Sequence, residues 1–192
     1  MVTRRSTGPD DLADAALAVA GRRGLSGMTV RGVADEAGVS IGAVQHHFPT
    51  TDALYRFVFQ RLAERIRRRI DRDPVARDAG APVDDRLSAA LRHLLPTTVA
   101  RRREAAVMVE FAARATHSAE LAEVQSLILG GIRSELVEIL GAHGLPEPDV
   151  RAALLLATVD GLALDAVSAP SLYPGATLDA CLSRQIAAAL TP

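Results

Sequence analysis

The chain has 192 residues, 48 % of them apolar, which supplies a core for one long or two small domains and excludes a disordered chain. The formal net charge of −1 hides an asymmetry: residues 1–70 carry 11 Arg against 7 Asp and Glu (+4), and residues 71–192 carry 11 Arg against 16 acids (−5). Aromatics make up only 3 %, with no Trp and one Cys, so an aromatic cage for a quaternary ammonium is poorly supplied and an intrachain disulfide is excluded.

A basic first part beside an acidic remainder fits contact with DNA at one end only. All 22 basic residues are Arg, which favours forked phosphate contacts over point-charge ones. The lone Cys181 reads as a small hydrophobe on an amphipathic helix and suits a reducing cytoplasm. No stretch approaches the roughly 20 apolar residues of a membrane span. Asp10, Asp11 and Asp14 interrupt the Ala-rich run that otherwise imitates a secretory signal.

Residues 1–8 are polar and read as an unstructured start, in which Arg4 and Arg5 form a basic arm able to order on DNA. The first predicted helix runs from about Asp10 to Arg23, with Leu12, Ala16, Val19 and Ala20 on one face. Asp10 and Asp11 in its first turn and Arg22 and Arg23 in its last suit the helix dipole, and Gly24 closes it.

Thr29 then caps a short helix with Val30, Val33, Ala34 and Ala37 at helical spacing, and Gly38 stops it in a left-handed conformation. Ser40 caps a third helix, Ile41 to His47, and Pro49 ends it. Two short helices joined by a tight glycine turn make a helix-turn-helix, whose second helix enters the DNA major groove. Gly42 and Ala43 are small enough for close approach to base edges, and Ser40, Gln45 and His46 reach phosphates and bases. The structural alternative is an ordinary αα-corner with a polar outer face. Phe48 plugs the three-helix core. Thr50 caps a fourth helix, about Thr51 to Arg72, with Leu54, Val58, Leu62 and Ile66 on one face and a basic end at Arg61, Arg65, Arg67, Arg68 and Arg69. That end reads as a solvated face paired with acidic neighbours such as Glu64 and Asp71.

The segments AALAVAGRRG (15–24), MTVRGVADEAGVS (28–40), GAVQHHF (42–48) and TDALY (51–55) resemble the N-terminal domain of the tetracycline-repressor (TetR) family, over three helices in order and spacing. The resemblance implies an all-α homodimeric transcriptional regulator, with a helix-turn-helix domain over 1–50 and a helical ligand-binding and dimerisation domain over 51–192. It implies DNA contacts from Thr29, Arg31, Ser40, Ile41, Gly42, Ala43, Gln45, His46 and Thr51. Two of these depart from the family's pattern, which usually has Tyr at Gln45 and Lys at Thr51. Both usual residues touch phosphates, so the departures imply weaker phosphate contacts or contacts from other groups. The family often has Lys or a polar residue at Ile41, so base readout here is expected to be more apolar.

Residues 73–83, DPVARDAGAPV, read as a loop. A fifth helix follows over about Asp84–Leu95, with Leu87, Leu91, Leu94 and Leu95 on one side. A sixth covers about Thr98–Thr116, with Val99, Val107, Met108, Phe111 and Ala115 inward. Arg101, Arg102 and Arg103 open it, exposed or paired with Glu104 and Asp85. The seventh, about Ser118–His143, carries Leu121, Val124, Leu127, Ile128, Ile132, Leu136 and Leu140, and its Gly130-Gly131 pair permits a bend or a close crossing. The eighth, about Glu147–Val167, is apolar on most sides and therefore buried on most sides, and the ninth covers about Thr177–Leu190. About nine helices result.

RRREAAVMVEFAARA and LLLATVDGLALDAV make this half similar to the choline/betaine-regulator (BetI-like) subgroup, and the family resemblance implies a four-helix bundle formed by the eighth and ninth helices of two subunits. Ala152, Ala157, Gly161 and Ala163 suit a tight crossing. Helices five to eight are expected to enclose an aliphatic effector pocket, with Leu91, Leu95, Val107, Met108, Phe111, Leu127 and Leu155 as candidates. Periodic apolar stripes of this kind are more often plain core, and all seven suit that reading. Glu110 and Arg114, one turn apart, are either an exposed ion pair or the polar end of that pocket. Asp160 interrupts the eighth helix, as a group hydrogen-bonded to its dimer mate or as a carboxylate facing a cationic effector.

His46, His47, His93, His117, His143 and Cys181 lack metal-ligand spacing, and no phosphate loop or nucleophile elbow is present, so the sequence calls for no metal, cofactor or enzymatic activity. A helical protein-interaction module of TetR-like fold that has lost operator binding is the competing function.

Overall fold

The computed structural model describes residues 8–191, and among them the only regular structure is α-helix. The basic arm at Arg4 and Arg5 lies outside the described residues. Ten helices are formed: α1 Pro9–Gly27, α2 Val30–Ala37, α3 Ile41–His47, α4 Thr51–Asp71, α5 Pro74–Arg77, α6 Val83–Arg92, α7 Val99–Ala115, α8 Ala119–Ala142, α9 Pro148–Ser168 and α10 Gly175–Leu190. The packing separates into two compact units, one holding the chain up to Ala63 with Ala106–Val124, the other Glu64–Ala105 with Gln125 onward.

In the first unit, Leu12, Ala16, Val19 and Ala20 of α1 are buried as expected, together with Met28, Val33, Ala34, Val44 and Phe48. The backbone of α1 breaks at Gly24, with φ 71° and ψ 175°. Arg22 pairs with Glu36, tying α1 to α2. Leu54, Tyr55, Val58, Phe59 and Leu62 of α4 join Val107, Phe111 and Ala115 of α7 and Leu121 and Val124 of α8 in the core. The rings of Phe59 and Phe111 stack in parallel with centroids 3.6 Å apart.

In the second unit, the core gathers Leu87, Leu91 and Leu95, Leu136 and Leu140, five residues of α9 from Ala152 to Ala166, and Leu178, Leu182, Ile186 and Ala189 of α10. Arg151, near the start of α9, donates to the carbonyls of Ala189 (2.8 Å) and Thr191 (2.5 Å), satisfying the open end of α10 and fixing the two helices antiparallel.

The tenth helix is the four-residue α5, within the stretch read as a loop. Asp73 caps it by accepting from the backbone amides of Val75 (3.0 Å) and Ala76 (3.1 Å), and Pro74 sits at its first turn, where a missing N–H costs nothing. α6 ends at Arg92, earlier than the expected Leu95. The next residue, His93, is held by Asp73 (Nε2 to Oδ2, 2.9 Å) and by Arg101 donating to Nδ1 (3.0 Å), while its carbonyl accepts from Arg69 (3.0 Å). Arg101 is therefore engaged with His93, and Glu104 is taken by Arg69 (2.8 Å), in place of the pairings expected at the start of α7.

Burial departs from the periodic pattern at several places. Val99 (72 % exposed) and Leu127 (69 %) face outward, although both were expected inside. α9 is buried on one side only: Leu155, Val159 and Leu162 are inside, whereas Val150, Leu154 and Leu164 are exposed. Ala152 lies in the chain's own core, while Ala157 and Gly161 are exposed. Gly130 and Gly131 have nothing within 4 Å of where a side chain would begin, so no close crossing uses them within the chain. The basic end of α4 is neutralised as expected: Arg67 pairs with Asp71 and Glu135, and Arg68 with Glu64.

Candidate nucleic-acid interface

The local chemistry of residues 29–51 dictates the shape of the interface. Thr29 Oγ1 accepts from the Gly32 amide (3.0 Å), starting α2. Gly38 ends α2 at φ 66°, ψ 34°, and the Val39 amide donates to Ala34 (3.0 Å), the longer bond of a Schellman turn. Ser40 Oγ then accepts from Ala43 N (3.2 Å) and opens α3. Thr50 Oγ1 does the same for α4 at Ala53 N (3.0 Å).

Val44 is the one buried residue of α3, and Phe48 anchors its far end, with its ring 5.1 Å from that of Phe57. Everything else on α3 faces out. Ile41, Gly42, Ala43, Gln45 and His46 are all exposed, as are Thr29, Arg31, Ser40 and Thr51 around them. The whole candidate DNA-contacting set is therefore surface. A side chain added at Gly42 would meet only Ser40 Oγ, 4.0 Å away, so the site is open as well as small. α3 itself carries no Asp, Glu, Lys or Arg. Its exposed surface therefore offers hydrogen-bonding and apolar groups but no fixed charge, while Arg31 of α2 is an exposed cation.

Behind this surface, in the same unit, α7 and α8 grip the helices that carry it. Arg114 lies over the Tyr55 ring, 4.4 Å from its centroid, with its Nε 3.6 Å from Asp52 Oδ1. Ser118 Oγ donates to Asp52 Oδ2 (3.1 Å), and Arg56 pairs with Glu120 (3.0 Å). Glu110 sits against the break in α1: a side-chain carbon at Gly24 would lie 2.8 Å from its Oε1. Burial raises the Tyr55 hydroxyl above its ordinary range, with Arg114 working against the shift and Asp52 and Glu110 adding to it.

Glu110 and Arg114 are thus neither an isolated exposed pair nor directed only at each other; they address α1 and α4. Of the other effector-site candidates, Val107 and Phe111 are buried and Met108 half-buried in the first unit. Leu91, Leu95 and Leu155 are buried in the second unit, where Leu127 is exposed. Sequence reasoning missed Gly24, Asp52 and Tyr55 as partners of α7 and Ser118 as a partner of Asp52. Only Gly24 left a trace, as a helix stop.

Among the described residues, no group of three or more His, Cys, Asp and Glu could hold a metal ion, and no helix is long and apolar enough to cross a membrane.

Two family models match the chain. "Bacterial regulatory proteins, tetR family" matches residues 12–58, and "BetI-type transcriptional repressor, C-terminal" matches residues 82–191. The HTH-type transcriptional regulator PksA of Bacillus subtilis (strain 168) is 34 % identical over 164 residues, covering 83 % of this chain and 78 % of its own. A crystal structure of a transcriptional regulator from Rhodococcus sp. Rha1 is 47 % identical, with a TM-score of 0.89 over 96 % of each chain. A regulator from Saccharomonospora viridis, solved in complex with choline, is 18 % identical with a TM-score of 0.82 over 93 % of this chain and 94 % of its own, a likeness of fold.

Proposed function

This chain belongs to the tetR family of bacterial regulatory proteins, with a BetI-type C-terminal region, and is a transcriptional regulator; we propose that it acts as a homodimeric repressor that a small effector releases from a palindromic operator. The observation that carries the operator reading is the exposure of every candidate contact around a reading helix anchored by Val44 and, at its end, Phe48. Each subunit presents α3 to one of two successive major grooves, and symmetric half-sites mirror the two-fold symmetry of the dimer. Thr29, Arg31, Ser40 and Thr51 serve phosphates, and Ile41, Gly42, Ala43, Gln45 and His46 face base edges. No feature favours the interaction module without DNA.

The second subunit covers α9 and α10, whose outward faces are mostly apolar or small. α4, α7 and α8 each supply residues to both compact units, so a shift of any one reaches the helices that carry α3. Effector binding works by differential affinity for two states of the dimer, a coupling of about 1–3 kcal/mol. An effector held within either unit meets mainly aliphatic candidates, Val107, Met108 and Phe111 in one and Leu91, Leu95 and Leu155 in the other, which suits an apolar molecule. All six aromatic rings are otherwise engaged: Phe48 with Phe57, Phe59 with Phe111, Tyr55 under Arg114 and Tyr173 bonded to Asp165. Six rings spread over two units supply an aromatic cage for a quaternary ammonium poorly.

Selection of genomic fragments by the purified protein tests this reading. One enriched palindrome, bound with a steep salt dependence, is the expected result. Recovery of fragments without a shared motif overturns it.

A further inference from the structure

α9 and α10 pack against one another and bury their inner faces in one core. The outer face of α9 presents Val150, Leu154, Ala157, Asp160, Gly161 and Leu164, and that of α10 presents Ala180, Ser183, Arg184 and Ala187. Asp149 and Asp165 of α9 are engaged by Arg133 and Tyr173, which leaves one charge without a partner on each face, of opposite sign. Neither Asp160 nor Arg184 has a hydrogen bond or ion pair with any other described residue.

Both charges lie near the middle of their helices. The Arg151 bonds to Ala189 and Thr191 set the level of one helix against the other. At 1.5 Å per residue, Asp160 and Arg184 then fall within about one turn of the same height. Asp160 stands at the surface, yet burial by the apolar side chains around it already raises its carboxyl above the ordinary range. A second molecule laid over this face would remove the remaining water, and a carboxylate so covered needs a partner. An isologous contact requires self-complementarity, in which residue i meets j and j meets i. One unpartnered acid and one unpartnered base on the face satisfy that requirement.

We infer that the α9–α10 face is covered by a second copy of this chain in which Asp160 of each copy pairs with Arg184 of the other, two ion pairs related by the two-fold axis. This rests on the homodimer proposed above and names the groups that set its register. The pair fixes how α9 of one subunit crosses α10 of the other.

The test is sedimentation of the full chain at low salt, with helical content followed by circular dichroism. Asp160→Arg and Arg184→Asp should each raise the dimer dissociation constant at least about tenfold, and the doubly reversed protein should recover most of the loss. A double variant no better than the weaker single one overturns the pairing, as does a tighter dimer from Asp160→Asn, which would put the two carboxylates opposite each other. If the reversals reduce helicity, Asp160→Asn and Arg184→Gln in a double-mutant cycle replace them, and zero coupling is the overturning result. Leu154→Glu separates the two claims: a dimer undisturbed by it, or a wild-type monomer, defeats the covered face itself, whereas a disrupted dimer with zero coupling defeats the ion pair alone.

Discussion

The guanidinium of Arg114 is stacked over the ring of Tyr55, 4.4 Å from its centroid, and the same group leans on Asp52 at 3.6 Å. A cation on an aromatic face is stabilised by about 0.5–1 kcal/mol where water has access, and a half-exposed ion pair adds up to about 1 kcal/mol. Arg114→Ala is therefore expected to lower unfolding stability by about 1–2 kcal/mol in urea titrations. Tyr55→Phe keeps the ring and should leave most of the contact; Tyr55→Leu should not. Equal losses from the two Tyr55 variants would remove the ring from the account.

Gly24 and Glu110 make the second grip of α7, on α1. At φ 71° an L side chain is strained, and its first carbon would lie 2.8 Å from the Glu110 carboxylate. Gly24→Ala should destabilise by about 1–3 kcal/mol, and adding Glu110→Ala should recover the steric part but not the backbone part. Strict additivity of the two changes in thermal melts would show that the carboxylate simply moves aside.

Gly42→Glu separates folding from recognition. The space around Gly42 is open, so the variant should melt within about 1 kcal/mol of wild type, the helix-propensity scale of such a change. Its carboxylate would nevertheless face phosphates and base edges, and operator binding should disappear in a mobility-shift titration. Retained binding would take α3 out of the groove.

Acid should loosen the cap of α5. The Ala76 amide, then His93 and the Val75 amide, hold the Asp73 carboxyl below its ordinary 3.8. A lowered folded pKa means stability that is present above the unfolded value and is lost as pH falls through the folded one. Asp73→Asn should accordingly flatten the fall in stability below about pH 4 relative to wild type. Asp73→Ala should cost about 1 kcal/mol at neutral pH through the lost cap.

What the sequence could disclose followed from distance along the chain. Thr29, Ser40 and Thr50 each accept from the amide three residues on, and the Gly38 amide donates to carbonyls three and four residues back, so α2, α3 and the start of α4 were readable with their caps. α5 was hidden because Pro74 reads as a breaker, and only the Asp73 cap turns it into a helix start. Val99 and Leu127 show that apolar periodicity marks a face without saying whether the same chain covers it. On α9 the pattern is apolar all round, yet only the side bearing Leu155 and Val159 meets its own core. Gly24 with Glu110, and Asp52 with Ser118, are pairs far apart in sequence, and no local pattern announces them.

The Gly130-Gly131 pair leaves a mark on how α8 comes apart. Both residues are exposed, have open space where a side chain would begin, and sit midway along a 24-residue helix, each weakening it by about 1 kcal/mol relative to Ala. The amides around them should exchange with deuterium ahead of those in the turns about Leu121 and Leu140, so that α8 melts from its centre outward.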